Sequence, residues 1–563
     1  MVLVALNWIY ILVTAFLCGF AFAMLAERAF DYPIKNPVEL LFWGLIGITV
    51  YAQLFSLFAG IGLAANLLLI AVSILIFAVW RKKITVLLRE SLQNRSVLYK
   101  ITLVIIAAIW CFCTSRGYMH YDSDLYHAQS IRWIEEYGIV KGLGNLHVRF
   151  AYNSSFFALS ALYSMKQLTG QSLHTVNGLI ALLLSVEVFE LFGKRKADKT
   201  NAVRLSDFAR IGALYYLTLI YRDIVSPASD YCVMCIVFYI FIRWLSYIEE
   251  EEKKIAPYAL LCVMCVYGIT LKLTAGVLLL LLIKPVYMLL KEKRYREIVC
   301  YLSMGTAVIA PWIIRTALIS GYLLYPFPTL DVLNVDWKID AAAAALDAAE
   351  IKTWGRGLND AALAGLPVSG WFGQWFQNTL PALGKLFILA DMICLVIFAV
   401  FVIGFLGKAF GRKNGHGTAD RLLVLAAASA SYLFWQLSAP LLRYGYAYVL
   451  LLIVLTGGML YQCVHGKRSL LQIAAMLLVL VKTVSLAGYI GSEADKPYYV
   501  LQQDYGVYEL DSFEEEGISF YYPKSGDRTG YEYFPAVPRK TAVAFRGKEI
   551  KDGFRSMEKE TKK

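Results

Sequence analysis

Charge is scarce in this sequence. Of its 563 residues only 17% are Asp, Glu, Lys or Arg and 59% are hydrophobic, against about 25% and 45–50% in a soluble globular chain, which excludes a water-soluble enzyme. A disulfide framework is missing as well: the ten cysteines nearly all fall inside apolar runs, and none lies in the stretches assigned below to the outside of a membrane. Cys232, Cys235, Cys262 and Cys265 form two C-x-x-C pairs, but both sit in hydrophobic spans. Four thiolates there would lack compensation, so packing is expected rather than zinc. No cleavable signal peptide is visible, because the apolar run from Val2 to Leu25 has neither a basic leader nor a small-residue cleavage site before Glu27-Arg28, and the first helix is expected to stay. Internal repeats and low-complexity tracts are also lacking, which weighs against the paired repeats of many transporters.

What the chain does have is a series of apolar runs of about 20 residues, each long enough to cross a bilayer. Its net charge of +12 sits in short basic clusters between those runs. Such clusters are a topology signal rather than a nucleic-acid surface. Arg81-Lys82-Lys83 with Arg89 and Arg95, then Lys194-Arg195-Lys196, Lys291 to Arg296, Arg412-Lys413 and Lys467-Arg468 all fall inside if the chain crosses about fourteen times. The spans are then 2–25, 38–58, 61–80, 97–116, 173–192, 208–222, 228–247, 256–271, 274–290, 298–319, 383–407, 421–438, 444–463 and 469–490, with both ends outside. Counting Phe156 to Met165 as a crossing would throw every later cluster outside, so it reads as an interfacial or re-entrant helix. The expected fold is therefore an all-α polytopic membrane protein with large external loops, 117–172 and 320–382, and a small external α+β or β tail, 491–563. In the tail, Ile518 to Tyr522 and Thr541 to Phe545 alternate like strands. The aromatic patch Trp371-Phe372 and Trp375-Phe376 suits the headgroup layer.

Candidate chemistry concentrates in the first of these loops, which opens His120-Tyr121-Asp122-Ser123-Asp124-Leu125-Tyr126-His127. Two carboxylates at a membrane boundary suit a general base, or groups that orient an acceptor hydroxyl or a divalent cation. The plainer alternative is a cap on the helix expected from Leu125 to Glu136. Aromatic and histidine neighbours favour a pocket. Arg132, Asn145, His147, Arg149 and Asn153 follow in the same loop, with hydrogen-bonding groups of the kind that hold polyols or phosphates. The spacings of His120, His127 and His147 match no standard ligand pattern, so no metal ligand is assigned. In the next outer turn, Tyr221-Arg222-Asp223 leads to Asp230 at the start of a span, where a cap and an active-site carboxylate look alike. Lys272, Arg315 and Arg443 lie near the outer ends of different spans, against the positive-inside tendency, and point to an anion unless they snorkel to headgroups. Carboxylates and cations above a bundle wide enough for a lipid tail fit a lipid phosphate leaving group. Nucleotide sugars are cytoplasmic, so the donor would be a polyprenyl-phosphate sugar, with a carboxylate deprotonating the acceptor and Arg and Lys stabilising the departing phosphate.

On these residues the sequence resembles the C-type glycosyltransferase (GT-C) fold class, and more narrowly a poorly characterised bacterial multi-pass family placed near it. The matching stretches are Tyr121 to His127, Gly142 to His147, Asn153-Ser154-Ser155, Ser226-Pro227 with Asp230, Gly321-Tyr322 through Tyr325-Pro326, Asp336-Trp337-Lys338, Gly526-Asp527-Arg528, and Arg546-Gly547 to Gly553-Phe554-Arg555. The resemblance implies an inverting transfer from a polyprenyl-phosphate-linked sugar to a glycan or lipid acceptor, at the outer face of a bacterial inner membrane. It puts the base at Asp122 or Asp124 and a second acidic position at Asp230. The phosphate and substrate groups would be His120, Tyr121, His127, Arg132, Asn145, His147, Asn153, Arg222, Lys272, Arg315 and Arg443. No cofactor is assigned, a divalent cation remains open, and no nucleic acid is expected. In the class the acidic loop commonly follows the first span, whereas here it follows the fourth. Residues 1–95 therefore read as an N-terminal addition, 96–490 as the GT-C-like core and 491–563 as a cap. Two other readings share the site: an O-antigen or capsule polymerase or ligase, and a transporter or flippase of a lipid-linked sugar.

Overall fold

The computed structural model describes residues 1–93, 96–193, 203–409 and 417–556. Lys194-Arg195-Lys196, Arg412-Lys413 and Arg95 lie outside the described residues. The chain runs α1 (Val2–Phe30), α2 (Pro37–Ser56), α3 (Leu63–Gln93), α4 (Val97–Ser115), α5 (Ala128–Tyr137), α6 (Ser155–Leu162), α7 (Lys166–Thr169), α8 (Val176–Phe189), α9 (Leu205–Ile220), α10 (Ser229–Glu249), α11 (Ala256–Leu271), α12 (Ile283–Lys291), α13 (Tyr295–Ser320), α14 (Ala341–Gly355), α15 (Val368–Asn378), α16 (Ala382–Ala409), α17 (Thr418–Leu437), α18 (Leu442–Cys463) and α19 (Arg468–Glu493). Among the described residues ten helices are long and apolar enough to cross a membrane: α1, α2, most of α3, α4, α10, the 3-10 run Leu273–Leu282 with α12, α13, α16, α18 and α19. The remaining expected spans fall on α8, α9, α11 and α17, which are helical but shorter or less apolar. Local chemistry sets several ends. Asn36 accepts from the amides of Val38 and Glu39 with proline at the first turn of α2, and Gly321 ends α13 in the left-handed conformation that glycine adopts without strain.

α10 is the centre of the bundle. Nearly all of its side chains are inaccessible, including Cys232 and Cys235, as expected for a helix that is apolar all round and walled in by others. Cys262 and Cys265 are likewise buried and free. Among the described residues no group of three His, Cys, Asp or Glu gathers as metal ligands. α1 and α2 touch backbone to backbone: a Cβ on Gly19 would stand 1.9 Å from the Leu40 carbonyl oxygen and one on Gly44 1.7 Å from that of Ala15, so small residues set the approach. α19 lies at the periphery, with Val484 and Leu480 open to the surroundings.

The segments 117–172 and 320–382 and the tail gather at one end, here the loop end. The tail holds two antiparallel pairs, β1 (Leu510–Glu515) with β2 (Ile518–Pro523), and β3 (Ala544–Phe545) with β4 (Phe554–Arg555). Glu516 and Gly517, both at positive φ, form the two-residue turn of the first hairpin, matching the strand twist. The tail shares its core: Phe513, Phe520, Phe545 and Phe554 pack with Trp133, Leu143 and Phe150 of the first loop, with Ile319 at the end of α13 and with Ile339 of the second loop. At the opposite end a buried ionic group ties helices together, with Arg210 on Glu187 at 2.8 Å and Arg468 on Asp207 at 3.5 Å.

α6, expected as an interfacial or re-entrant helix, has all eight residues buried and is too short to cross, packing against α2 and α5 inside the bundle. One local expectation differs from what is seen. Trp371 and Trp375, expected among headgroups, are 1% and 0% exposed. The Trp375 indole donates to the Pro440 carbonyl at 3.0 Å and the Arg356 guanidinium covers Trp371 at 4.4 Å. An aromatic stripe at helical spacing serves either setting, and here the strand of chain between α17 and α18 claims it.

Candidate functional site

Five charged or titratable side chains from four separate parts of the chain meet at the loop end. Arg443 stands in the first turn of α18, Asp230 in the first turn of α10, Lys272 immediately after α11, and His120 and Asp122 just beyond α4. The Arg443 guanidinium donates to the Asp122 carboxylate at 2.6 Å and lies 3.4 Å from that of Asp230. It also contacts the His120 ring. Lys272 is bonded to the other oxygen of Asp230 and its ammonium sits 3.6 Å above the Tyr444 ring. Acid and base thus alternate along the row Asp122, Arg443, Asp230, Lys272. Asp230 stands in the first turn of α10, where the unpaired amide groups of a helix start favour negative charge.

Burial raises the pKa of the Asp122 carboxyl, but Arg443 and then His127 outweigh it and hold it at about 2. Burial, followed by Arg443, lowers His120 to about 4. His127, enclosed beside Tyr126 and Phe157, is held at about 3 mainly by burial. Both imidazoles are therefore neutral at pH 7. Asp223, near the same guanidinium, is pushed up to about 6 by burial. The row is internally balanced in charge, and Lys272 keeps ammonium hydrogens beyond the one given to Asp230. An entering phosphate would compete with the carboxylates for Lys272 and Arg443 through charge-assisted hydrogen bonds.

The other expected site residues lie elsewhere. Asp124 is two residues from Asp122, but the π-helical turn Ser123–His127 carries it to the other side. One carboxylate oxygen accepts from the Gly506 amide at 2.9 Å and the other from the Tyr508 hydroxyl at 2.8 Å, while its carbonyl takes the amides of Thr529 and Gly530. Arg132 likewise holds the tail, donating to the carbonyls of Tyr531 and Glu532. Tyr121 bonds Asp527 under the Arg528 guanidinium. Asn145 donates to the Trp337 carbonyl at 2.8 Å, and His147 packs on Phe150. Asn153 and Arg315 bond each other at 3.2 Å. Asn153 also donates to the Trp312 carbonyl and Arg315 to Ser56 and the Gly138 carbonyl, so both tie the loop to α13. Arg222 lines a separate cavity of about 580 Å³ with Tyr118, Ser485, Tyr489 and Lys496.

Three more residues belong beside the row, of which the loop pattern had offered only Arg149. Tyr444 supplies its aromatic floor and follows Arg443 directly in sequence. Asp223 stands in the quoted turn before α10. Arg149, half-buried, feels the charges of Asp122 and Asp347 and lies 5.9 Å over the Trp354 ring. Asp347 takes the hydroxyls of Tyr152 and Tyr325; nothing in its alanine-rich helix announced it.

Residues 1–450 match the model of a family described as a domain of unknown function (DUF8201), and the chain belongs to that family. The match includes every member of the row. No curated protein matches the chain.

Proposed function

We propose that this chain is an inverting glycosyltransferase that uses a polyprenyl-phosphate-linked sugar and acts on a glycan or lipid acceptor at the outer face of a bacterial inner membrane. In this reading all fourteen helical runs cross, and the loop end faces outward. The observation that carries it is the row of Asp122, Arg443, Asp230 and Lys272 at the mouth of an apolar bundle. A lipid phosphate is the ligand that needs both halves of that setting, cations for its head and a membrane for its tail.

The donor phosphate binds Lys272 and Arg443, with Asp230 holding both cations in place. The acceptor oxygen attacks the anomeric carbon, the bond from that carbon to the phosphate oxygen breaks, and the phosphate leaves with the electron pair. Asp122 takes the acceptor proton. With Arg443 paired to it, Asp122 is a weak base, but a phosphate competing for that guanidinium raises its proton affinity when the substrate is present. Arg443 and Lys272 stabilise the charge that grows on the leaving phosphate. Asp124, committed to the tail, positions the loop and does not touch substrate.

The test is the composition of surface polysaccharide and lipid-linked intermediates in a strain lacking the gene, complemented with wild type, Asp122→Asn, Asp124→Asn or Arg443→Gln. Loss of one sugar with its polyprenyl-phosphate donor accumulating, restored by wild type and not by Asp122→Asn, is the expected result. Normal transfer by Asp122→Asn with failure of Arg443→Gln would instead identify a polymerase or ligase that relies on the cation. Complete units trapped on the inner face would identify a flippase.

A further inference from the structure

A second acidic group lies deep in the bundle, apart from the row. α16 is buried along one stripe only, Gly384, Ile388, Asp391 and Cys394, within a stretch of mean hydropathy 3.0. Asp391 is 0% exposed, and neither of its oxygens has a hydrogen-bond partner. It stands about 13 Å along the helix from its start at Ala382. Facing the stripe are Tyr432 and Gln436 of α17 and Thr456 of α18, all buried. Tyr432 and Cys394 lie in the field of Asp391, and the Thr456 hydroxyl is beside Cys394. The Tyr432 hydroxyl reaches the Gln436 amide oxygen at 3.4 Å, whereas the Gln436 amide nitrogen has no partner and the Thr456 hydroxyl has only the Cys394 thiol beside it.

An isolated carboxylate in such surroundings costs several kcal/mol or more. Among the described residues no hydrogen bond reaches either Asp391 oxygen, so no cation balances it by direct contact. Among the described residues the titratable groups facing it are Cys394 on its own helix and Tyr432 on α17, and α18 adds none. The available donors are hard oxygens with a single negative charge between them, which suits a small singly charged cation and not a divalent or thiophilic metal. We propose that Asp391, with Thr456 and Tyr432, is an intramembrane binding site for a monovalent cation, a proton or sodium. The bound cation fastens α16 to α17 and α18, and α18 carries Arg443 at its other end. The site stands independently of the transferase reading.

A hydrophobic carbodiimide tests it on the full purified chain in detergent. The reagent reacts with a protonated carboxyl in apolar surroundings: the carboxyl oxygen bonds to the central carbodiimide carbon, the proton passes to a reagent nitrogen, and rearrangement leaves a stable acylurea. Labelling of the peptide that contains Asp391 is read by mass spectrometry at acid and alkaline pH, in sodium chloride or choline chloride, with Asp391→Asn as background. Several-fold more label at acid pH is expected. Suppression by sodium at fixed pH identifies sodium as the cation, and equal labelling in both salts identifies the proton. Thermal stability is measured alongside, since a cation bound only by the folded state raises the melting temperature. A pH or sodium dependence present in wild type and missing from Asp391→Asn supports the site even where the reagent fails to enter. No label, together with identical pH and sodium dependence of the two proteins, overturns the proposal.

Discussion

The pairing of Asp122 with Arg443 makes a quantitative demand on stability. Asp122→Asn keeps the shape of the side chain and removes its charge. Burial of the carboxyl works against ionisation, yet Arg443 above all takes it from 3.8 down to about 2, which corresponds to about 2 kcal/mol in favour of the charged form. The Asp122 side chain is only 16% exposed, so solvent screening takes little of that away. A carboxyl depressed in the folded state contributes its stabilisation above the ordinary carboxylate range and loses it as pH falls from about 4 toward 2. Seven of the ten cysteines are buried, so unfolding in detergent is readily followed with a thiol-reactive dye that fluoresces as they emerge. At neutral pH, Asp122→Asn, Arg443→Gln and the double variant form a cycle whose coupling is expected at about 1.5–2.5 kcal/mol. Arg443→Gln alone should cost more, about 3–5 kcal/mol, because it strands Asp122 and leaves Asp230 with Lys272 as its one cation. Effects that add to within about 0.5 kcal/mol would show that the two side chains do not depend on each other and would remove the basis for the row.

Other consequences follow from the same contacts. His120 and His127 are held below their ordinary value by burial, so the unfolded chain binds more protons and stability should fall as pH drops from about 6.5 toward 4; His120→Gln should flatten that slope in pH-dependent melting curves. Asp124→Ala removes the acceptor for Gly506 and Tyr508 and should cost about 1–3 kcal/mol. Limited proteolysis should then cut the tail near 503–530 faster, while Asp122→Asn leaves that rate unchanged. Gly142 sits at φ 66° with the Phe554 carbonyl oxygen 2.1 Å from where a Cβ would be, so Gly142→Ala should destabilise by about 1–3 kcal/mol and loosen β4, again read by proteolysis.

How much of this could be seen in the residues depends on the range of the contact. Lys272, Arg443 and Asp230 were legible as partners because each stands at the end of an expected span, and alternation of the expected spans would bring those ends to one side of the bundle. No pairing had to be known for that, only the count of crossings between them. Asp122 and Asp124 were not separable by the same means. Both occupy one acidic turn, and what divides them is a π-helical turn followed by contacts with Gly506 and Tyr508, nearly four hundred residues along the chain. A local pattern carries no information about a partner that distant. Arg132 failed for the same reason: a cation amid polar neighbours looks alike whether it awaits a phosphate or takes the carbonyls of Tyr531 and Glu532. Arg315 shows the converse. Its place near a span end suggested an anion, yet it is buried against Asn153, Ser56 and a backbone carbonyl, because a guanidinium satisfied by neutral acceptors can pin a loop to a helix without any acid. The tail was readable as strands from its alternation, but not its dependence on the loops, since a segment of its length gives no sign of where its apolar faces will be covered. The row therefore takes its shape from the spans and its boundaries from the tail, and a change in how the tail is docked should alter which acid faces the membrane.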